Sequence, residues 1–263
     1  MNEHTTRSGA AGHGSPKITV VDLWKSFKGK EVLCGVNLEV HAGESFVIVG
    51  GSGAGKSVLL KHLIGLIHPD RGHIIVDGED LATAPPAVCL ALRRKFGMSF
   101  QEGALFDSMN VFENIAFPLR RHTKMSEAEI QARVAACLDL VDLDGVATKA
   151  TNELSGGMRR RVGFARAIAL QPEILLFDEP NTGLDPMTSA VIDSVIIGMR
   201  DKLDVTLVTI THDMRSAFRI ADRIAMLRGG QILAVAPPEE FRALPDAYIR
   251  KFLAGEPFEE DVA

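Results

Sequence analysis

Ser45-Phe46-Val47-Ile48-Val49-Gly50-Gly51-Ser52-Gly53-Ala54-Gly55-Lys56-Ser57 decides how this chain folds. The first five residues are a short apolar run, the pattern of a parallel strand buried on both faces. Glycines follow at once. Val58, Leu59, Leu60, Leu63 and Ile64 then recur at helical spacing. Residues 50–57 fit the pattern GxxxxGK[ST] in the context it requires, after a strand and before a helix. Glycines let the backbone wrap close to phosphate oxygens and take positive φ angles. The N–H groups of the loop and the helix start offer partial positive charge to a β-phosphate. Lys56 is expected to place a full charge at the β- and γ-phosphates, and the Ser57 hydroxyl to ligate Mg²⁺.

Further buried-strand patterns lie outward from this segment. Upstream, Ile18, Val20 and Leu23 open a strand-like stretch, and residues 32–40 alternate apolar and polar before a turn at Ala42-Gly43. Downstream, Ile174-Leu175-Leu176-Phe177 ends in Asp178-Glu179. Residues 205–210 end in Thr211-His212-Asp213, and residues 224–227 turn at Gly229-Gly230 into residues 231–235. Helical patterns at 187–200 and 214–221 separate them. Strands alternating with helices predict an α/β domain with a mostly parallel sheet. Residues 103–170, between a strand expected at 96–100 and the one at Ile174, read as a helical insert. Ser126 with Glu129 forms a capping box before a helix through Leu140, and Ser155 starts another through Arg166. The folded part is expected over 17–253. Residues 1–16 are polar, lack the apolar middle of a signal peptide, and read as a disordered tail. Residues 254–263 carry Glu256, Glu259, Glu260 and Asp261 and read as a solvated acidic tail.

Bulk properties narrow the function. The chain has 263 residues, 46% of them hydrophobic, and a formal net charge of −5. Such a charge gives no basic field for nucleic acid, and no nucleic-acid partner is expected. No apolar run of roughly 18 residues is present, so nothing is expected to span a membrane. Cys34, Cys89 and Cys137 are far apart, form no CxxC pair, and are expected to be buried thiols. The chemistry concentrates elsewhere. Asp178 and Glu179 end an apolar strand, where neighbouring side chains point in different directions. Asp178 is expected to hold the Mg²⁺ shell and Glu179 to face the attacking water as general base. His212 could hydrogen-bond the γ-phosphate and position that water. His41, His62, His68, His73 and His122 share no spacing and receive no role.

These motifs point to a P-loop NTPase. Leu154-Ser155-Gly156-Gly157-Met158 adds a Ser-Gly-Gly at a helix start, which is either a second phosphate-binding device or a plain helix cap. At this point the chain resembles the ABC ATPases over about residues 17–253. Residues 154–158 are similar to the signature motif, Gln101 to the Q-loop, residues 178–185 to Walker B running into the D-loop, and His212 to the switch histidine. The resemblance implies a nucleotide-binding domain with a parallel sheet core, an antiparallel β subdomain and a helical subdomain. It implies ATP and Mg²⁺ as ligands and a homodimer with two shared ATP sites. In that dimer Ser155, Gly156 and Gly157 of one copy close over the γ-phosphate held by the Lys56 loop of the other. Gln101 would sense Mg²⁺ and water, Asp185 would line the dimer seam, and Phe27 takes the place of the aromatic that stacks on adenine. Asn181, where many relatives carry Thr or Ser, stands outside the chemistry.

Residues 102–114 and 154–165 together resemble the ATPase of the Mla phospholipid transporter and the toluene-resistance ATPases. This implies work at the cytoplasmic face of the inner membrane with a separate permease and an MCE-type lipid-binding protein. Leu105 and Phe106 are then candidates for the permease groove. Two alternatives stay open: an ABC ATPase for another substrate, and a soluble one of the Fe–S assembly type.

Overall fold

The strand that the opening segment predicts, β3 (Ser45–Val49), is buried at all five positions. It lies near the middle of a sheet, so both faces need apolar side chains. In this computed structural model, which describes residues 16–101 and 103–256, the chain runs as follows. β1 (Pro16–Phe27) and β2 (Lys30–His41) form a hairpin ahead of β3. α1 (Lys56–Leu63), β4 (Arg71–Val76), β5 (Glu79–Asp80), α2 (Pro86–Arg93) and β6 (Phe96–Ser99) follow. The helical stretch then carries α3 (Val111–His122), α4 (Glu127–Leu140) and α5 (Gly156–Ile168). The chain returns to sheet through β7 (Ile174–Asp178), α6 (Pro186–Leu203), β8 (Thr206–Thr211), α7 (Met214–Ile220), β9 (Arg223–Arg228) and β10 (Gln231–Ala236). It closes with α8 (Pro238–Ala243) and α9 (Ala247–Ala254).

Two sheets result. The larger has the order β10-β9-β3-β8-β7-β6. Its members pair in parallel except β10, which runs antiparallel to β9. The smaller is antiparallel, with the order β2-β1-β4-β5. The alternation of side chains along a strand divides the core in two. Phe46, Ile48, Ile174, Leu176, Val208 and Ile210 pack toward α1 and the antiparallel sheet. Val47, Val49, Leu175, Phe177 and Leu207 pack toward α5, α6 and the rest of the helical side. This is the α/β architecture expected, with an antiparallel β sheet and helices added to a mostly parallel core.

Several boundaries differ from expectation. β6 stops at Ser99, and Phe100 and Gln101 lie beyond it. α5 runs on to Ile168 and α6 to Leu203. Helix α3 starts at a capping box built from Asn110 and Glu113. That pair is a start signal of the same kind as Ser126 and Glu129, which cap α4 as predicted. At the C-terminus, Ala254 ends α9 rather than opening a tail. Glu259, Glu260 and Asp261 lie outside the described residues, as do residues 1–15 of the expected N-terminal tail. Cys89 and Cys137 are buried, and burial pushes the Cys137 thiol up to about 11. Cys34 is only half-buried, a departure from the expected buried thiol.

Candidate nucleotide site

β3, β8 and β7 are neighbours, and the site forms at their carboxyl ends, where parallel sheets place ligands. The loop after β3 leads into α1. Gly50 is required because a Cβ there would stand 2.3 Å from the Leu227 carbonyl oxygen. Gly55, the N-cap of α1, has φ 103°, a left-handed conformation that strains any L side chain. No side chain caps this helix. By contrast, α3, α4, α5, α6, α7 and α9 are capped by Asn110, Ser126, Ser155, Asp185, Asp213 and Asp246. The N–H groups at the start of α1 are therefore open to an anion.

An open cleft of about 700 Å³ lies over this loop. It is lined by Gly51, Ser52, Gly53, Ala54, Gly55, Lys56 and Ser57, and also by Val32, Glu179, His212, Phe252, Gly255 and Glu256. Lys56 is 8% exposed and donates to the carbonyls of Gly50 (2.8 Å) and Gly51 (3.0 Å). Burial pulls its ammonium below the usual value, against the pull of the Glu179 and Asp178 charges. Lys56 Nζ is 3.9 Å from Glu179 Oε1. Ser57 Oγ donates to Asp178 Oδ1 at 3.2 Å. Burial raises the Asp178 carboxyl above its ordinary range, the Ser57 hydroxyl opposing and the Glu179 charge adding.

The two adjacent carboxylates diverge for a visible reason. Glu179 has φ 52°, and its N–H donates to the Ile210 carbonyl at the end of β8. This turns its side chain away from Asp178. Glu179 Oε2 lies 2.8 Å from His212 Nδ1 and accepts from the His212 N–H (3.3 Å) and the Thr182 hydroxyl (3.2 Å).

The remaining expected residues stand elsewhere in the single chain. Ser155 caps α5, its Oγ accepting from the Met158 N–H at 3.3 Å. Asp185 caps α6 through the N–H groups of Met187 and Thr188, each at 3.0 Å. Gly157 lies against Thr188, where a Cβ would approach its methyl to 2.7 Å. Ser155, Gly156, Gly157 and Asp185 thus form a second group that does not line the cleft. Gln101 is exposed and likewise outside the lining. Phe27 is 43% exposed at the end of β1, with the Lys25 ammonium 5.5 Å from its ring centre, and it does not line the cleft either.

Sequence reasoning missed two groups. Val32, Phe252, Gly255 and Glu256 wall the cleft, and nothing in their local sequence announces it. Asn181 was placed outside the chemistry, yet it is 5% exposed, and its amide donates to Asp193 Oδ1 (2.7 Å) and Ser216 Oγ (2.8 Å). This buried network joins the segment after Glu179 to the helix after His212.

Among the described residues no group of three or more His, Cys, Asp or Glu is arranged to hold a metal ion by itself, and no helix is long and apolar enough to cross a membrane. Residues 33–182 match the ABC transporter family model. The chain is 42% identical over 238 residues to the probable ribonucleotide transport ATP-binding protein mkl of Mycobacterium leprae, covering 90% of this chain and 69% of that protein. It is 40% identical over 220 residues to the intermembrane phospholipid transport system ATP-binding protein MlaF of Escherichia coli, covering 84% and 82%. Among solved structures, cbiO1 of Clostridium perfringens, part of the complex cbiONQ, superposes with a TM-score of 0.81 at 28% identity, covering 90% of this chain and 95% of that one. The dimeric cassette MJ0796, bound to ADP and Pi in a post-hydrolysis state, superposes with a TM-score of 0.77 at 30% identity, covering 84% and 98%.

Proposed function

The chain belongs to the ABC transporter family, and from that membership we propose that it is the ATP-hydrolysing subunit driving phospholipid transport at a bacterial inner membrane through a separate permease. The observation that carries the ATPase reading is the placement of Glu179. Its carboxylate stands over the phosphate loop, 3.9 Å from Lys56 Nζ and 2.8 Å from His212 Nδ1.

In this reading the open N-terminus of α1 and Lys56 bind the phosphates. Glu179 takes a proton from water as the water oxygen bonds to the γ-phosphorus and the bond to ADP breaks, giving ADP and phosphate. His212 holds Glu179 and faces the γ-phosphate. Ser57 and Asp178 fit Mg²⁺: both are oxygen donors within hydrogen-bond contact, and the half-buried Asp178 carboxylate gains from a neighbouring cation. A site with few protein donors also suits an ion that keeps waters and substrate phosphates as its other ligands. Bound there, Mg²⁺ would neutralise charge on the β- and γ-phosphates. Gln101 would join this group from the Q-loop.

Ser155, Gly156, Gly157 and Asp185 take their roles across a dimer. Their separation from the cleft within one chain supports a composite site completed by a second copy, as does the dimeric state of the superposed cassettes. Phe27 would stack on adenine from outside the cleft lining. For the permease, Phe106 and Phe117 offer a surface, both rings exposed and their centres 5.0 Å apart, whereas the other candidate, Leu105, is half-buried against the core of the helical side. Beside them lies a shallow depression lined by Met109, Phe117, Arg120 and Arg121.

The phospholipid cargo rests on the likeness to MlaF. The name of the mycobacterial relative supports a second reading, ribonucleotide transport. Pull-down of tagged protein from detergent-solubilised host membranes, with mass spectrometry of proteins and lipids, separates them. Recovery of a multi-span permease, an MCE-type protein and phospholipid is the expected result. A different permease without lipid would overturn the cargo, and recovery of soluble Fe–S assembly proteins would overturn transport itself.

A further inference from the structure

Arg160 is 7% exposed on the helix that Ser155 caps. Its guanidinium reaches two loops that are 81 positions apart in the chain, at Gln101 and Thr182. Nε donates to the Gln101 carbonyl at 3.0 Å, and Nη2 donates to the Thr182 carbonyl. Hydrogen bonds from a charged donor are among the strongest a protein makes, and the planar guanidinium fixes the angle between them.

Both loops are held closely at their other contacts. The loop after β6 lies on α5: Arg166 Nη2 donates to the Gly103 carbonyl at 2.7 Å. Gly103 also meets Gly163 so closely that a Cβ on Gly163 would stand 2.8 Å from the Gly103 Cα. Gln101 therefore has little freedom to move without α5. On the other side, the Thr182 hydroxyl donates to Glu179 Oε2 at 3.2 Å, the oxygen that lies beside His212 Nδ1. A single buried cation thus joins the loop of Gln101 to the residue that holds Glu179.

We propose that Arg160 is a positioning residue of the hydrolytic site. It fixes the segment from Glu179 to Thr182 so that the carboxylate stays aimed at the γ-phosphate side of the cleft. The inference rests on the reading of Glu179 as general base.

The test is steady-state ATPase kinetics of the full-length protein, purified with whatever membrane partner it retains. R160Q removes the charge and cannot span both carbonyls. Its kcat should fall about 10-fold while KM for ATP stays within about twofold, the signature of an interaction needed only in the transition state. R160K, which keeps the charge on a single donor head, should recover part of that loss. T182V should lower kcat in the same sense. The double variant R160Q/T182V should lose little more than either alone, because both act through one carboxylate. Thermal melts and ATP binding confirm folding, and R160K replaces R160Q in the cycle if R160Q does not fold.

Unchanged kcat in R160Q overturns the proposal. So do multiplicative losses in the double variant, or a fall in kcat that only tracks lost thermal stability. E179Q, assayed in parallel, should be at least ~10²-fold slow. If E179Q turns over like wild type, the assignment of Glu179 falls. If E179Q is slow and R160Q is not, only the role of Arg160 falls.

Discussion

Glu179 and Asp178 are neighbours in the chain with opposite circumstances. Glu179 sits in left-handed backbone at φ 52°, a conformation that costs a non-glycine residue about 1–2 kcal/mol. The bond from its N–H to the Ile210 carbonyl and the contact with His212 hold it there. Asp178 stays in the strand, where burial raises its carboxyl above the usual range. The folded protein therefore holds the Asp178 proton more tightly than the unfolded chain does. The stability contributed by this residue is present below its unfolded value and is lost as pH rises through its folded value. D178N removes the half-buried charge and its repulsion with Glu179. Without nucleotide or metal, D178N should melt about 1–3 °C above wild type at pH 7–8, the scale expected of a fraction of a kcal/mol in a domain this large. The gap should narrow as pH is lowered toward about 4, the ordinary aspartate range. Mg-ATP should reverse the order by stabilising wild type more. Differential scanning fluorimetry across pH checks this, and a lower midpoint for ligand-free D178N at neutral pH refutes it.

Helix α9 was not foreseen as part of the site. Tyr248 lies under the Arg228 guanidinium, 4.0 Å from the ring centre, and its hydroxyl stands 3.5 Å from where a Cβ on Gly51 would be. Phe252, stacked on Tyr248, lines the cleft with Gly255 and Glu256. F252A should raise KM for ATP about 3–10-fold, or about 0.7–1.4 kcal/mol of binding, with kcat within twofold. Unchanged KM would mean that α9 is only a neighbour of the nucleotide. Elements whose signal is local were legible. The capping box of α4 and the buried runs of β3, β7 and β8 follow from their own residues, since each strand has an apolar side chain to offer both cores. Helix α3 carried the same kind of signal in Asn110 and Glu113 and could have been read. Asn181 could not, because its partners Asp193 and Ser216 lie 12 and 35 positions away.

Across the whole molecule, one chain holds both halves of the expected ATP site but does not bring them together. Lys56 lies in the cleft, whereas Gly157 and Asp185 pack on Thr188 and Ser155 caps α5 outside the lining. S155R should leave ATP binding by K56-intact protein near wild type yet block turnover. Mixed with K56A, it should regain part of the activity, since each heterodimer keeps one intact composite site. ATPase assays over a range of mixing ratios measure this, and no recovery at any ratio refutes the shared geometry. The sequence by itself determined the phosphate loop, the order of the motifs and the α/β class, because glycine placement, apolar runs and strand-end carboxylates act through near neighbours. Only the tertiary structure decided which strands lie side by side, how Glu179 turns from Asp178, what walls the cleft, and that Arg160 bridges Gln101 and Thr182. Those outcomes depend on contacts between segments tens to hundreds of positions apart, whose pairing is set by burying both faces of one sheet at once.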